Sequence, residues 1–237
     1  MKKYEFTGEV KYIGRKILHR IRAVRGIPEY EIKSGDMGGW LETEENLSHN
    51  GAAWVANSAC VMDSARVTDS ALVMGTACVT GKARVTGSAR VTGKASVTDS
   101  ARVMGSARVT GEACVTGNAC VTGKARVTGE ACVTGNACVT GKARVTGKAW
   151  VSGNARVMKS SDCITIGAIG SRNDTTTFYR GADGKIYVSC GCFNGTIDDF
   201  AAEVKQVHAG TKHERTYLLA IELAKAQIAT AEEEDKC

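Results

Sequence analysis

From residue 53 onward the apolar positions along the chain fall into a period of six. Valine recurs at every sixth position from Val55 to Val157, eighteen times without an insertion, and alanine stands two residues before each one, from Ala53 to Ala155. In extended backbone, residues i and i+2 share a face, so each unit sends one Ala and one Val to the same side. Two residues beyond each Val comes Gly, Asp or Asn, as at Gly81, Asp99 and Asn57, until Lys159 breaks the rule and marks the end of the regular pattern. Those three residue types tolerate a left-handed backbone. Each hexapeptide therefore predicts a short strand and a tight corner, and the whole predicts a parallel β-solenoid. Its interior is filled by Val and Ala, which leaves no room for a ligand inside.

The units VTGKAR and VTGNAC resemble the left-handed β-helix of hexapeptide-repeat proteins, best known from bacterial acyltransferases, and the resemblance covers residues 53–162. It implies a left-handed, three-sided coil of eighteen residues, and homotrimers, which are common in that family. Eighteen units then make about six triangular coils, roughly 29 Å of prism at a coil spacing of about 4.8 Å. The expected fold is mainly β: a left-handed parallel β-helix over 53–162, an N-terminal β cap over 1–52 and a small C-terminal α+β module over 163–237.

The cap contains the β-like runs YEFTGEV and ILHRIRAV and a turn-rich SGDMGGWLETEENLS, with Trp40 and Leu41 suited to cover an open coil end. In the C-terminal module TTTFYR, a GADG bend and KIYVSCGCF predict a hairpin. Thr196 with Asp199 reads as a capping box opening one helix, and a second is expected from about His213 to Ala231. GDMGGWLE, GSRNDTTTFYR and SCGCFNG are similar to segments of proteins encoded by bacteriophages and prophages, a resemblance that carries no activity with it.

Scarce aromatics, a single proline (Pro28) and frequent glycine fit short strands and many turns and argue against a helical bundle. No apolar run is long enough to span a bilayer, and the opening MKKYEFTGEV lacks the apolar stretch of a signal peptide, so a cytoplasmic protein is expected, with its ten cysteines as free thiols. Charge is uneven: residues 54–159 carry fourteen basic and five acidic side chains, residues 160–237 eight and twelve. A basic repeat region points to an anionic partner, for which the acidic C-terminal module is itself a candidate.

Sorting the residue before each Val by its place in an eighteen-residue coil yields three ladders. The first is Trp54, Leu72, Arg90, Arg108, Arg126 and Arg144; the second Cys60, Cys78, Ser96, Cys114, Cys132 and Trp150; the third Arg66, Arg84, Arg102, Cys120, Cys138 and Arg156. Stacked guanidiniums, with Lys124 and Lys142 at the preceding corner, concentrate charge that a phosphate or carboxylate would relieve. Against this stands the reading of solvated Arg heads over an outer sheet face, aided by Glu112 and Glu130. Aromatics for stacking single-stranded bases are missing from the stripe, so nucleic acid has weak support. The second ladder, Cys60, Cys78, Cys114, Cys132 and Trp150, reads as an interface, covered by another subunit or by the C-terminal helix through Tyr217, Ile221, Ala224 and Ile228. Paired CxxC clusters are absent, so no metal site and no cofactor are expected.

Hexapeptide acyltransferases use a histidine base, often beside a projecting loop, and these repeats hold neither. Any catalysis would fall to Cys190, Cys192 and His208, weak candidates for a thiolate and base, with Arg172 and Arg180 to hold an anion. The function expected is a non-catalytic binding protein for a protein partner or a phosphorylated ligand, its phage-like ends suiting an inhibitor of host defence. A diverged acyltransferase or Cys/His hydrolase, and a structural or assembly protein, are the alternatives.

Overall fold

The computed structural model describes residues 2–228. Strands β1 (Tyr4–Ile13) and β2 (Lys16–Ala23) pair antiparallel, and β3 (Met37–Leu41) lies against β2. Eighteen two-residue strands, β4–β21, run from Trp54–Val55 to Arg156–Val157. They stack in three parallel sheets with partners eighteen residues apart, Arg90 opposite Arg108 and Val91 opposite Val109. Before the last coil a unit typically sends three backbone bonds to the next coil, for example Arg90 N to Ala107 O (2.9 Å), Thr92 N to Val109 O (2.9 Å) and Lys94 N to Gly111 O (2.7 Å). All eighteen repeat valines are fully buried. Each is worth about 1.5–3 kcal/mol of burial, so the solenoid is held by many equal increments rather than one dominant core contact.

The corners explain the Gly/Asp/Asn rule. Asn57, Asp63, Asp69 and Asp99 sit at φ of 58–60°, and the corner glycines are left-handed too. Successive corners stack so closely that a Cβ at Gly111 would lie 2.8 Å from the Gly129 carbonyl. Where the corner is Asp, its carboxylate accepts the N–H of the glycine one coil on: Asp63 from Gly81 (3.0 Å), Asp69 from Gly87 (2.9 Å) and Asp99 from Gly117 (3.1 Å).

The parallel stack begins earlier than the Ala-x-Val pattern. Trp40 and Leu41 of β3 pair with Cys60 and Val61, and Leu47 bridges Val67, so cap residues form a partial turn and the solenoid has about seven turns rather than six. Leu41 is fully buried in the core, as its role as a lid requires, whereas Trp40 lies outside, half-buried beneath Lys11 and Arg20. The buried Lys3 ammonium donates to the Ala53 carbonyl (2.6 Å), a group the first coil leaves without a strand partner.

At the other end, strands β22 (Cys163–Ile169), β23 (Asp174–Arg180), β24 (Ile186–Cys190) and β25 (Phe193–Thr196) form an antiparallel sheet, followed by α1 (Ile197–Val207) and α2 (Lys212–Gln227). The hairpin β23–β24 and the Thr196/Asp199 capping box are as the sequence predicts. α2 ends at Gln227, short of the expected Ala231, whose position lies outside the described residues. The sheet closes the solenoid: Tyr179 is buried in the coil core, and the Tyr179 hydroxyl meets Ser152 Oγ (2.9 Å) and Ser189 Oγ (3.3 Å). Asn194 Nδ2 donates to Ser152 Oγ (2.5 Å), and Ala182 N donates to the Asn154 carbonyl (2.9 Å). Among the described residues no helix is long and apolar enough to cross a membrane.

Candidate functional site

The three ladders occupy three sheets, as the eighteen-residue register requires. On the first, Arg90, Arg108, Arg126 and Arg144 stand in register and exposed. Lys124 and Lys142 are exposed at the adjoining corner. Among the described residues no carboxylate comes within 4 Å of any of these four guanidiniums, whereas Arg66 on the third ladder reaches Glu45 (3.3 Å). Glu112, which a solvated stripe would use as a neighbour, pairs instead with Lys94 (2.9 Å).

The ladder is unlike itself at its N-terminal end. Trp54 and Leu72 are buried because the segment between β2 and β3 folds over them, and Tyr30 donates its hydroxyl to the Ser70 carbonyl. A hollow of about 330 Å³ remains, lined by Tyr30, Ile32, Met37, Trp54, Leu72 and Met74, with Asp36 at its border. Burial pushes the Tyr30 phenol up, and the nearby Arg90 charge opposes that shift. Sequence reasoning missed this hollow, although the switch from Trp54 and Leu72 to Arg90 was its signal.

Arg172 and Arg180 do not join the ladder. Arg180 is largely buried at the end of the third sheet, ion-paired with Asp162 (3.3 Å), which also accepts from Met158 N (2.8 Å) and Lys159 N (2.7 Å). Arg172 lies in the turn between β22 and β23, with Nη2 3.7 Å from Cys192 Sγ.

The second ladder requires a correction. Its cysteines are not covered by the C-terminal helix: Tyr217, Ile221, Ala224 and Ile228 pack on Phe178, Val188, Phe200 and Val204, because the module's own sheet needs that apolar stripe as its other layer. Only the first rung is sealed, Cys60 beneath Leu18 and beside Met62, while Cys78, Cys114 and Cys132 are half-buried and Trp150 is 52% exposed. Burial pushes the Cys60 thiol up. The thiols of Cys114 and Cys132 are register partners on adjacent rungs, and their mutual interaction lowers the Cys114 thiol to about 7 and raises that of Cys132.

The catalytic candidates are not assembled into a pair. Cys190 Sγ accepts from Thr176 Oγ1 (3.2 Å) and lies 3.7 Å from the Tyr217 hydroxyl, while the His208 ring packs on Tyr217 with centroids 5.6 Å apart. Tyr217 thus stands between the thiol and the imidazole, and Cys192 is exposed in the turn beyond. Among the described residues His208 makes no hydrogen bond to either thiol, and it caps the end of α1. All nine described cysteines are free. Alkylation of the native protein by iodoacetamide should therefore label the exposed Cys192 and the lowered thiol of Cys114 well before Cys60, which peptide mass spectrometry over time would read; early labelling of Cys60 would contradict the packing of β2 on the first rung.

No family model and no curated protein matches this chain.

Proposed function

We propose that the protein is a non-catalytic binding scaffold whose first sheet holds a phosphorylated ligand on Arg90, Arg108, Arg126 and Arg144, with Lys124 and Lys142 alongside. The observation that carries this reading is the set of four exposed, in-register guanidiniums without a carboxylate partner among the described residues. Unit charges about 4.8 Å apart in water repel by roughly 1 kcal/mol per neighbouring pair before screening. An anion lying along the ladder removes that cost and gains bidentate, charge-assisted hydrogen bonds.

Within this reading the solenoid is the left-handed, three-sided β-helix of hexapeptide-repeat proteins. The half-exposed Cys ladder and Trp150 meet further copies of the chain in a cytoplasmic homotrimer. The ends group with bacteriophage-encoded chains, and withholding a phosphorylated signal from a host defence is the role such a scaffold suits.

Calorimetric titration with inorganic tripolyphosphate tests it. Binding should weaken by about tenfold or more between 50 and 200 mM salt, as release of counterions by several arginines demands. The double variant Arg108→Gln/Arg126→Gln should lose at least tenfold more. Unchanged binding in that variant would remove the ladder from the function.

A further inference from the structure

The arginines and the hollow share one sheet, and their order along it is fixed by the register. Leu72, on the hollow's floor, is the rung partner of Arg90, so the apolar site passes into the cationic ladder over one coil spacing of about 4.8 Å. Arg90 is not part of the hollow's lining but stands on the next rung along, and its charge reaches Tyr30. Beyond it Arg108, Arg126 and Arg144 extend the charge over three further rungs, about 14 Å, more than a single phosphate can use. Building on the anion-binding reading above, we propose that the ligand is a nucleoside polyphosphate, with its base in the hollow and its phosphates running along Arg90, Arg108 and Arg126.

The lining suits a flat, polarisable ring. Met37 and Met74 offer adaptable thioether surface, and Tyr30 offers an aromatic face pinned by its hydrogen bond to Ser70. Asp36 distinguishes a base from a plain apolar group. Its carboxylate accepts from Lys33 N (2.7 Å) through one oxygen, and the other is available to a ring N–H or an exocyclic amine. The same negative charge repels phosphate, so Asp36 and Arg90 together orient the ligand with its base toward the cap and its phosphates toward the ladder. A hollow of about 330 Å³ is of the size that holds a small ring system.

The test compares ATP and GTP with inorganic tripolyphosphate by calorimetry, in EDTA and at one ionic strength, on the whole chain. At least one nucleotide should bind tenfold or more tighter than tripolyphosphate. Met74→Ala, with Ile32→Ala as a second variant should the first fail to melt like the parent, should reduce that advantage to threefold or less and leave tripolyphosphate binding unchanged. Arg108→Gln should weaken both ligands. Nucleotides that bind no tighter than tripolyphosphate would overturn the base site and leave the arginine ladder standing. No binding of either ligand would overturn both readings, and equal loss of both in Met74→Ala would also remove the base from the hollow.

Discussion

Replacing Gly38 by alanine is expected to cost about 2–3 kcal/mol, twice or more the cost of the same change at Gly147, and to unseat the cap from the first coil. A Cβ at Gly38 would fall 2.5 Å from Ile21 Cγ1, 2.8 Å from Trp54 Cζ2 and 2.8 Å from the Val55 carbonyl. Two of those neighbours are fully or almost fully buried side chains and the third is backbone, so none can yield without moving β2 or the first rung. Gly147, unlike Gly38, is left-handed, at φ 65°, and a Cβ there meets nothing within 4 Å, so Gly147→Ala reports backbone strain alone and Gly38→Ala reports the steric clash. Urea unfolding of both variants measures the difference, and amide exchange along β3 locates it. Repeat solenoids unfold in parts, so the exchange measurement is the more direct one. Equal costs, or protection of β3 unchanged in Gly38→Ala, would mean that the cap does not depend on this close approach.

The same glycine shows where a sequence stops being readable. The solenoid was legible because its rule is periodic: an inward Ala and Val and a left-handed corner repeat often enough to determine register, and register alone assigns Arg90, Arg108, Arg126 and Arg144 to one sheet. The partial turn through Trp40, Leu41 and Leu47 obeys the same physics with different residues. There β3 sits twenty rather than eighteen residues before its partner strand, Gly39 stands where a small inward side chain would, with the Ala59 carbonyl and Val55 filling that space, and Gly38 gives way to Ile21 and Trp54. A pattern search keyed to Ala and Val does not see it.

Long-range packing was the other blind spot. The stripe Tyr217, Ile221, Ala224 and Ile228 was legible as a buried helix face, but two surfaces could have received it, the Cys ladder or the module's own sheet. Phe178, Val188 and Phe200 decide for the sheet, since they would otherwise be left open to water. Cys190, Cys192 and His208 were legible as reactive types and not as a constellation. Tyr217, whose position between thiol and imidazole follows from α2 packing on the sheet, separates them. The hollow beside Arg90 likewise needs the segment from Ile27 to Met37 to fold back over Trp54, and no local signal dictates that path.

Lys3 carries the second large expected effect, a gain in stability of about 2–3 kcal/mol as pH rises from below 8 to above 10.5. Its side chain is fully buried against the Ala53 carbonyl, and burial, with the Arg25 charge adding to it, brings its pKa from 10.5 down to about 8. In the unfolded chain the ammonium keeps its proton to about 10.5. Between those two values the unfolded state binds the extra proton, so stability increases with pH across that window, and below pH 8 the penalty for holding a buried charge is at its full size. Tyrosine and other lysines titrate in the upper part of the same range, so the informative quantity is the difference between the parent and Lys3→Met. Urea unfolding of both at pH 7.5 and pH 10 should show the parent gaining about 2 kcal/mol on the variant as pH rises. A difference that stays constant with pH would mean that Lys3 keeps its proton in the folded state. The ammonium would then be a fixed charge holding the Ala53 carbonyl, and closure of the first coil would not depend on shedding that charge.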